Sequence, residues 1–144
     1  MKIIYTCFIL CLLLLSGCKS TSGFLLNSFD KLETNVSHSQ VIAKDIVKII
    51  SNKYGPGKTT FLYIPPDTAL GLEIESLLRK KGYAVTNSDT DTQANKLVYA
   101  AEKLFENYIV VRVQVGEYQL FNRAYRKEND KLIPVGNFSV KAGL

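Results

Sequence analysis

The chain has 144 residues, with 18 Lys and Arg against 13 Asp and Glu, a formal net charge of +5 at neutral pH. That length supports one domain with its own core, and so small a basic excess does not by itself indicate nucleic-acid binding. The only cysteines are Cys7, Cys11 and Cys18, so nothing beyond Cys18 can form an internal disulfide and the folded part must stand on its core alone.

At the amino terminus, Lys2 supplies a positive charge, Ile3–Leu15 is almost uninterruptedly apolar, and small Ser16 and Gly17 precede Cys18. This is the layout of a secretory leader, and the apolar run is shorter than the roughly 20 residues a bilayer span requires. Leu15-Ser16-Gly17-Cys18 has the form of a bacterial lipobox, which predicts cleavage between Gly17 and Cys18 and acylation of Cys18. The sequon Asn35-Val36-Ser37 is formally a glycosylation acceptor, a reading that a bacterial lipobox argues against.

Residues 18–35 have the Ser, Thr, Gly and Asn content of a spacer, but Phe24, Leu25, Leu26 and Phe29 are apolar for a free linker. They could lie on a membrane surface, pack back onto the domain, or dock into a partner's groove. Phe24 and Phe29 are thus candidate partner-binding residues.

A helix follows, with Ser37 and Gln40 in capping-box spacing and Ile42, Ile46, Ile49 and Ile50 on its apolar face. Lys44, Asp45 and Lys48 fall on the other side. The helix stops near Tyr54-Gly55-Pro56-Gly57, and Thr59–Ile64 reads as a strand ended by Pro65 and Pro66. Asp67 is a candidate cap for a second helix carrying Leu70, Ile74, Leu77 and Leu78, with Arg79, Lys80 and Lys81 in its last turn and Gly82 at C′. Tyr83–Asn87 reads as a strand and Ser88–Asn95 as a polar loop.

From Lys96 the period becomes two. Leu97–Lys103 forms a strand, then Ile109, Val111, Val113 and Val115 alternate along the next. Gly116-Glu117 suggests a two-residue hairpin, Tyr118–Lys127 the returning strand, Asn129-Asp130 another turn, and Leu132–Val140 a last strand that Pro134 marks as an edge or a bulge. The expected fold is α+β: two helices packed on one face of a mostly antiparallel sheet of about five strands, a two-layer sandwich. The domain plan is a signal peptide at 1–17, a lipid-anchored tether at 18–35 and a single periplasmic domain at 36–144.

Chemical motifs are few. Gly55-Pro56-Gly57-Lys58-Thr59 ends like a phosphate-binding loop, but Asn52 stands where the first Gly is needed, and the stretch follows a helix and opens a strand, the reverse of that motif's context. His38 is the only histidine and its place near a helix start predicts a solvated side chain. Asp89 and Asp91 alternate in a polar loop, too few oxygens for a calcium site. With no zinc spacing, nucleophile elbow or dinucleotide fingerprint, neither an enzyme nor a metal or cofactor is expected. Arg112, Arg123, Arg126 and Lys127 lie on neighbouring strands near Tyr99, Tyr108, Tyr118 and Tyr125, and those that share a solvent face would make a basic aromatic patch able to meet an anionic headgroup, an acidic protein or a single strand of nucleic acid. Alternation divides it, placing Arg123 and Tyr125 on one face and Tyr118 and Arg126 on the other.

The leader, the helix before Tyr54-Gly55-Pro56, the segment Leu77–Val85 with Lys81-Gly82-Tyr83-Ala84-Val85, and the ending together resemble the conjugal transfer lipoprotein TrbH family. The ending is the most specific part: Val115-Gly116, Leu120, Arg123-Ala124-Tyr125, Pro134, Gly136 and Phe138 before Val140-Lys141. Lys and Ile are more frequent than the family leads one to expect, and Phe138 replaces a larger aromatic. The resemblance implies a component of a type IV secretion channel for plasmid DNA, anchored in the outer membrane through acyl chains on Cys18 and facing the periplasm. Lys19 after the cysteine agrees, since an Asp there commonly signals retention in the inner membrane. The implied partners are channel proteins, without direct nucleic-acid contact, and Arg123 and Tyr125 are candidate partner-binding residues at the surface, or else fold-defining ones. The alternatives are a lipoprotein serving another envelope assembly or surface exclusion, and a periplasmic ligand-binding protein.

Overall fold

The computed structural model describes residues 25–32, 35–117 and 119–142. Among them are two helices, α1 (Val36–Ser51) and α2 (Ala69–Lys80), and seven strands: β1 (Phe29–Asp30), β2 (Thr60–Leu62), β3 (Ala84–Thr86), β4 (Asn95–Phe105), β5 (Tyr108–Val115), β6 (Gln119–Glu128) and β7 (Lys131–Ala142). The leader, Gly17, Cys18 and Phe24 lie outside the described residues.

The strands form one sheet in the order β3-β2-β4-β5-β6-β7, with β1 also paired to β4. The run β4 to β7 is antiparallel, whereas β2 is parallel to both β3 and β4, and β1 is parallel to β4. This seven-stranded mixed sheet corrects the expected five-stranded, mostly antiparallel sandwich. The reason is topological. A helix between two neighbouring strands carries the chain back to the end where it started, so β2-α2-β3 closes as a parallel pair. The extra strand β1 comes from the stretch expected to serve as a spacer.

Local chemistry sets the helix ends. Asn35 caps α1: its side-chain oxygen accepts the His38 N–H at 3.0 Å and the Ser37 hydroxyl at 2.8 Å, so the cap lies two residues before the expected Ser37. Thr68, not Asp67, caps α2, accepting the Gly71 N–H at 3.1 Å. The other end of α2 closes as a Schellman motif, with the Gly82 N–H on Arg79 O, the Tyr83 N–H on Leu78 O, and Gly82 at a φ of +90°. Gly71 is required for a different reason. A Cβ there would stand 2.5 Å from Pro66 O, because the first turn of α2 sits directly on Pro65-Pro66.

Ile42, Ile46 and Ile50 of α1 and Leu70, Ile74 and Leu78 of α2 share one core with Phe61, Leu97, Val111, Val113 and Phe121 of the sheet. Fully burying such a side chain contributes about 1.5–3 kcal/mol, so this layer is the main source of stability. Residues of alternate parity on β4 and β5 point away from the helices. Val98, Ala100 and Gln114 on that outer side are nonetheless buried, although none belongs to the helix-covered core.

The hairpins explain the register. Asn129 and Asp130 both adopt positive φ, 47° and 61°, between the paired residues Glu128 and Lys131, as a two-residue type I′ turn requires. The β5–β6 connection differs from expectation, since the last pair is Val115 with Gln119 and three positions fall between them. In β7 the register slips opposite Arg123: Asn122 pairs with Ser139 but Ala124 with Val135, leaving Gly136–Phe138 as a bulge. β7 is an edge strand, as Pro134 suggests.

Candidate functional site

The sheet brings Arg123 and Tyr125 together on the helix-facing side of β6, and α1 sets Asp45 above them. Asp45 Oδ2 accepts the Tyr125 hydroxyl at 2.8 Å and pairs with Arg123 Nε at 3.1 Å, the guanidinium being out of line for a true hydrogen bond. The Arg123 guanidinium also lies 4.7 Å from the centre of the Phe138 ring, which the β7 bulge delivers. Tyr125 is 0% exposed, and the Arg123 and Asp45 side chains are 17% and 16% exposed. Burial, followed by the neighbouring Asp45 carboxylate, pushes the Tyr125 phenol far above its ordinary pKa, so it remains a donor. Arg123 and Tyr125 therefore fasten α1 to the sheet and form a clasp within the fold.

Asp45 was the missing member, read from sequence as part of the solvated side of α1. The signal was present, because Asp45 stands three or four positions from Val41, Ile42 and Ile49, all of which touch the core. His38 is a second correction. It is 5% exposed, and its Nε2 lies 2.9 Å from Asp130 O, tying the start of α1 to the β6–β7 turn. It sits four residues before Ile42 on the same stripe, which the expectation of a solvated ring overlooked.

The other cluster is formed by residues 25–32. Phe29 and Asp30 pair with Ala100 and Ala101 of β4, and the Lys31 N–H donates to Ala101 O at 3.0 Å. Before them, Ser28 Oγ accepts the Tyr99 N–H at 3.1 Å, Lys96 Nζ donates to Leu26 O at 2.8 Å, and the Leu25 N–H donates to Gln114 Oε1 at 2.8 Å. Phe29 is half-buried beneath the Lys31 ammonium, 5.6 Å from its ring centre, while Leu26 is 79% exposed. The Asp30 carboxyl accepts the Leu32 N–H and faces Thr68, and burial outweighs both contacts to raise its pKa. An open cleft of about 610 Å³ lies beside this segment, where Leu25 and Leu26 face Asn95, Lys96 and Gln114.

The remaining sequence candidates do not converge. Gly57 donates its N–H to Gly82 O and Thr59 its hydroxyl to Gly55 O, so the Gly-Pro-Gly-Lys-Thr stretch is a turn joining α1 to β2. Asp91 accepts the Gln93 N–H within its own loop. Arg112 pairs with Glu102, Arg126 with Glu128, and Lys127 with Asp130, so each of these cations meets a carboxylate. Tyr99 is buried with its hydroxyl 3.4 Å from Thr68 Oγ1, and Tyr108 lies at the surface. Tyr118 lies outside the described residues. Among the described residues no group of three or more His, Cys, Asp or Glu could hold a metal ion, and no helix is long and apolar enough to cross a membrane.

Two comparisons, with curated proteins and with solved structures, find no match. A family model does match, described as conjugal transfer protein TrbH, and it spans residues 20–142, which takes in both helices, all seven strands, the clasp and the segment 25–32. The chain belongs to the TrbH family of conjugal transfer proteins.

Proposed function

We propose that this protein is an outer-membrane lipoprotein, anchored through Cys18 and facing the periplasm, whose folded domain is a non-catalytic assembly component of a type IV secretion channel for plasmid DNA. The observation that carries this reading is the TrbH match over residues 20–142, preceded, with only Lys19 between, by Leu15-Ser16-Gly17-Cys18. Acylation explains how so small a domain acts locally. Each buried methylene contributes about 0.8 kcal/mol, and a multiply acylated cysteine holds the protein at the membrane almost permanently. Confinement to the membrane plane raises its concentration near the channel, so that even a weak protein contact persists.

The domain's own chemistry is consistent with a scaffold role. Tyr63, Tyr99 and Tyr125 are buried phenols held protonated by burial, with hydroxyls beside Gly71 O, Thr68 and Asp45 respectively. Their hydrogen bonds join helix to sheet.

Fatty-acid labelling, fractionation and crosslinked co-purification of the wild type and Cys18→Ser test the reading together. The expected result is label and membrane association in the wild type only, with channel subunits recovered alongside the lipidated form. An unlabelled, freely soluble wild-type protein, or mating efficiency unaffected by deletion, overturns it.

A further inference from the structure

We infer that residues 25–32 are a releasable strap that sets how far the folded body stands from its anchor: docked on β4 it holds the body close, and released it lengthens the tether and bares the β4 edge to an extended segment of a partner protein. The inference rests on the proposed lipidation of Cys18.

The strap is held chiefly by hydrogen bonds, with Asp30 also facing Thr68. Its main chain and short polar groups bond to Gln114, Lys96, Tyr99 and Ala101, yet none of residues 25–32 is fully buried and only Leu32 packs against the core. Among the described residues, the helix-covered core draws on none before α1 apart from that edge contact, so it remains complete when the strap leaves. Such a segment belongs to the low-stability end of a fold, where local opening precedes global unfolding. β1 contributes two residues, and Lys31 meets Glu102 only at 3.9 Å, with its side chain 73% exposed.

Release changes geometry and surface together. A chain extends at most 3.3–3.6 Å per residue, so Cys18 reaches about 25 Å to a docked Leu25 and about 60 Å to Asn35 once the strap is free. The β4 edge, paired to β2 only at Asn95 and Lys96, then loses its partners at Ala100 and Ala101. An unpaired strand edge is a template for strand addition, and the departing occupant defines what fits: an extended backbone with a hydroxyl opposite Tyr99 and an aromatic side chain opposite Ala100.

The test uses the full-length lipidated protein. Lys31→Cys with Glu102→Cys continues the β1–β4 register by one step at solvent-accessible positions, and beyond Cys18 the chain has no native cysteine to compete. In the wild type, the Lys31 and Tyr99 amides are expected to exchange hydrogen at least tenfold faster than the Ile46 amide of α1, and in the double variant oxidation is expected to abolish that difference for the Tyr99 amide. Mating by the oxidised variant is expected to fall at least tenfold and to recover on reduction, with each single variant resembling the wild type. Exchange of Lys31 and Tyr99 at the Ile46 rate, or normal mating by a crosslinked protein of wild-type thermal stability, overturns the strap. Fatty-acid labelling of the same preparations reports separately on the anchor, so a strap that fails on a labelled protein leaves the lipoprotein reading standing.

Discussion

The clasp and the strap both join distant parts of the chain, and they do so in opposite ways. At the clasp, Asp45, Arg123 and Tyr125 are largely buried, so every polar contact is enclosed by packed side chains and cannot be exchanged for water without opening the core. At the strap, the residues of 25–32 that make hydrogen bonds of similar length are themselves exposed or half-buried, although Gln114, Tyr99 and Ala101 beneath them are buried, and water reaches these bonds as soon as the segment lifts. Bond length alone does not rank such contacts; what surrounds them does.

Substitutions at the two joins test the contrast directly. Tyr125→Ala removes an aromatic ring from the closed layer and is expected to cost about 3–5 kcal/mol, measured by urea unfolding. Asp45→Ala leaves the Tyr125 hydroxyl and the Arg123 guanidinium without their shared acceptor, with an expected loss of about 1–3 kcal/mol. A cycle with Tyr125→Phe should then show coupling of at least about 0.5 kcal/mol. At the strap, Lys96→Ala and Gln114→Ala are each expected to change global stability by less than about 1 kcal/mol while speeding exchange of the Leu25–Leu32 amides; an equal loss at strap and clasp would abolish the distinction. Lys31→Ala, at an exposed ion pair, should fall within about 0.5 kcal/mol of the wild type.

Titration separates the two regions as well. Tyr63, Tyr99 and Tyr125 have folded pKa values raised above the unfolded phenol, chiefly by burial. The unfolded chain therefore loses these protons first, and stability is present below an ordinary tyrosine pKa and declines as pH rises past about 10. The Asp30 carboxyl is also raised by burial, so strap docking is strongest in acid, below the ordinary carboxylate pKa, and weakens as pH rises through the elevated value. Asp30→Asn is expected to slow strap exchange at neutral pH and flatten its pH dependence.

The sequence made some of this plain and hid the rest. The stripes Ile42-Ile46-Ile50 and Leu70-Ile74-Leu78, the Gly82 stop and the Asn129-Asp130 turn were legible because 3.6-residue and two-residue periods and positive φ are local properties. The parallel pairing of β2 with β3 and β4 was missed because it depends on which strands become neighbours across a helix, which no local period encodes. β1 was hidden for another reason. Two residues carry no periodicity, and its order comes from Gln114, Lys96 and Ala101, about 70 to 90 positions away. Arg123 and Tyr125 were picked out as a pair, but their third member required knowing that α1 lies over β6.

The β7 border bears on how copies of the domain avoid one another. Under the proposed anchoring through Cys18, copies would meet in a common plane, where flat strand borders are templates for zipping into fibrils. A proline or an irregularity along the border is a common safeguard, and here Pro134 removes a donor while the Gly136–Phe138 bulge breaks the straight line of the strand. The same bulge that carries Phe138 to the guanidinium thus also discourages self-assembly.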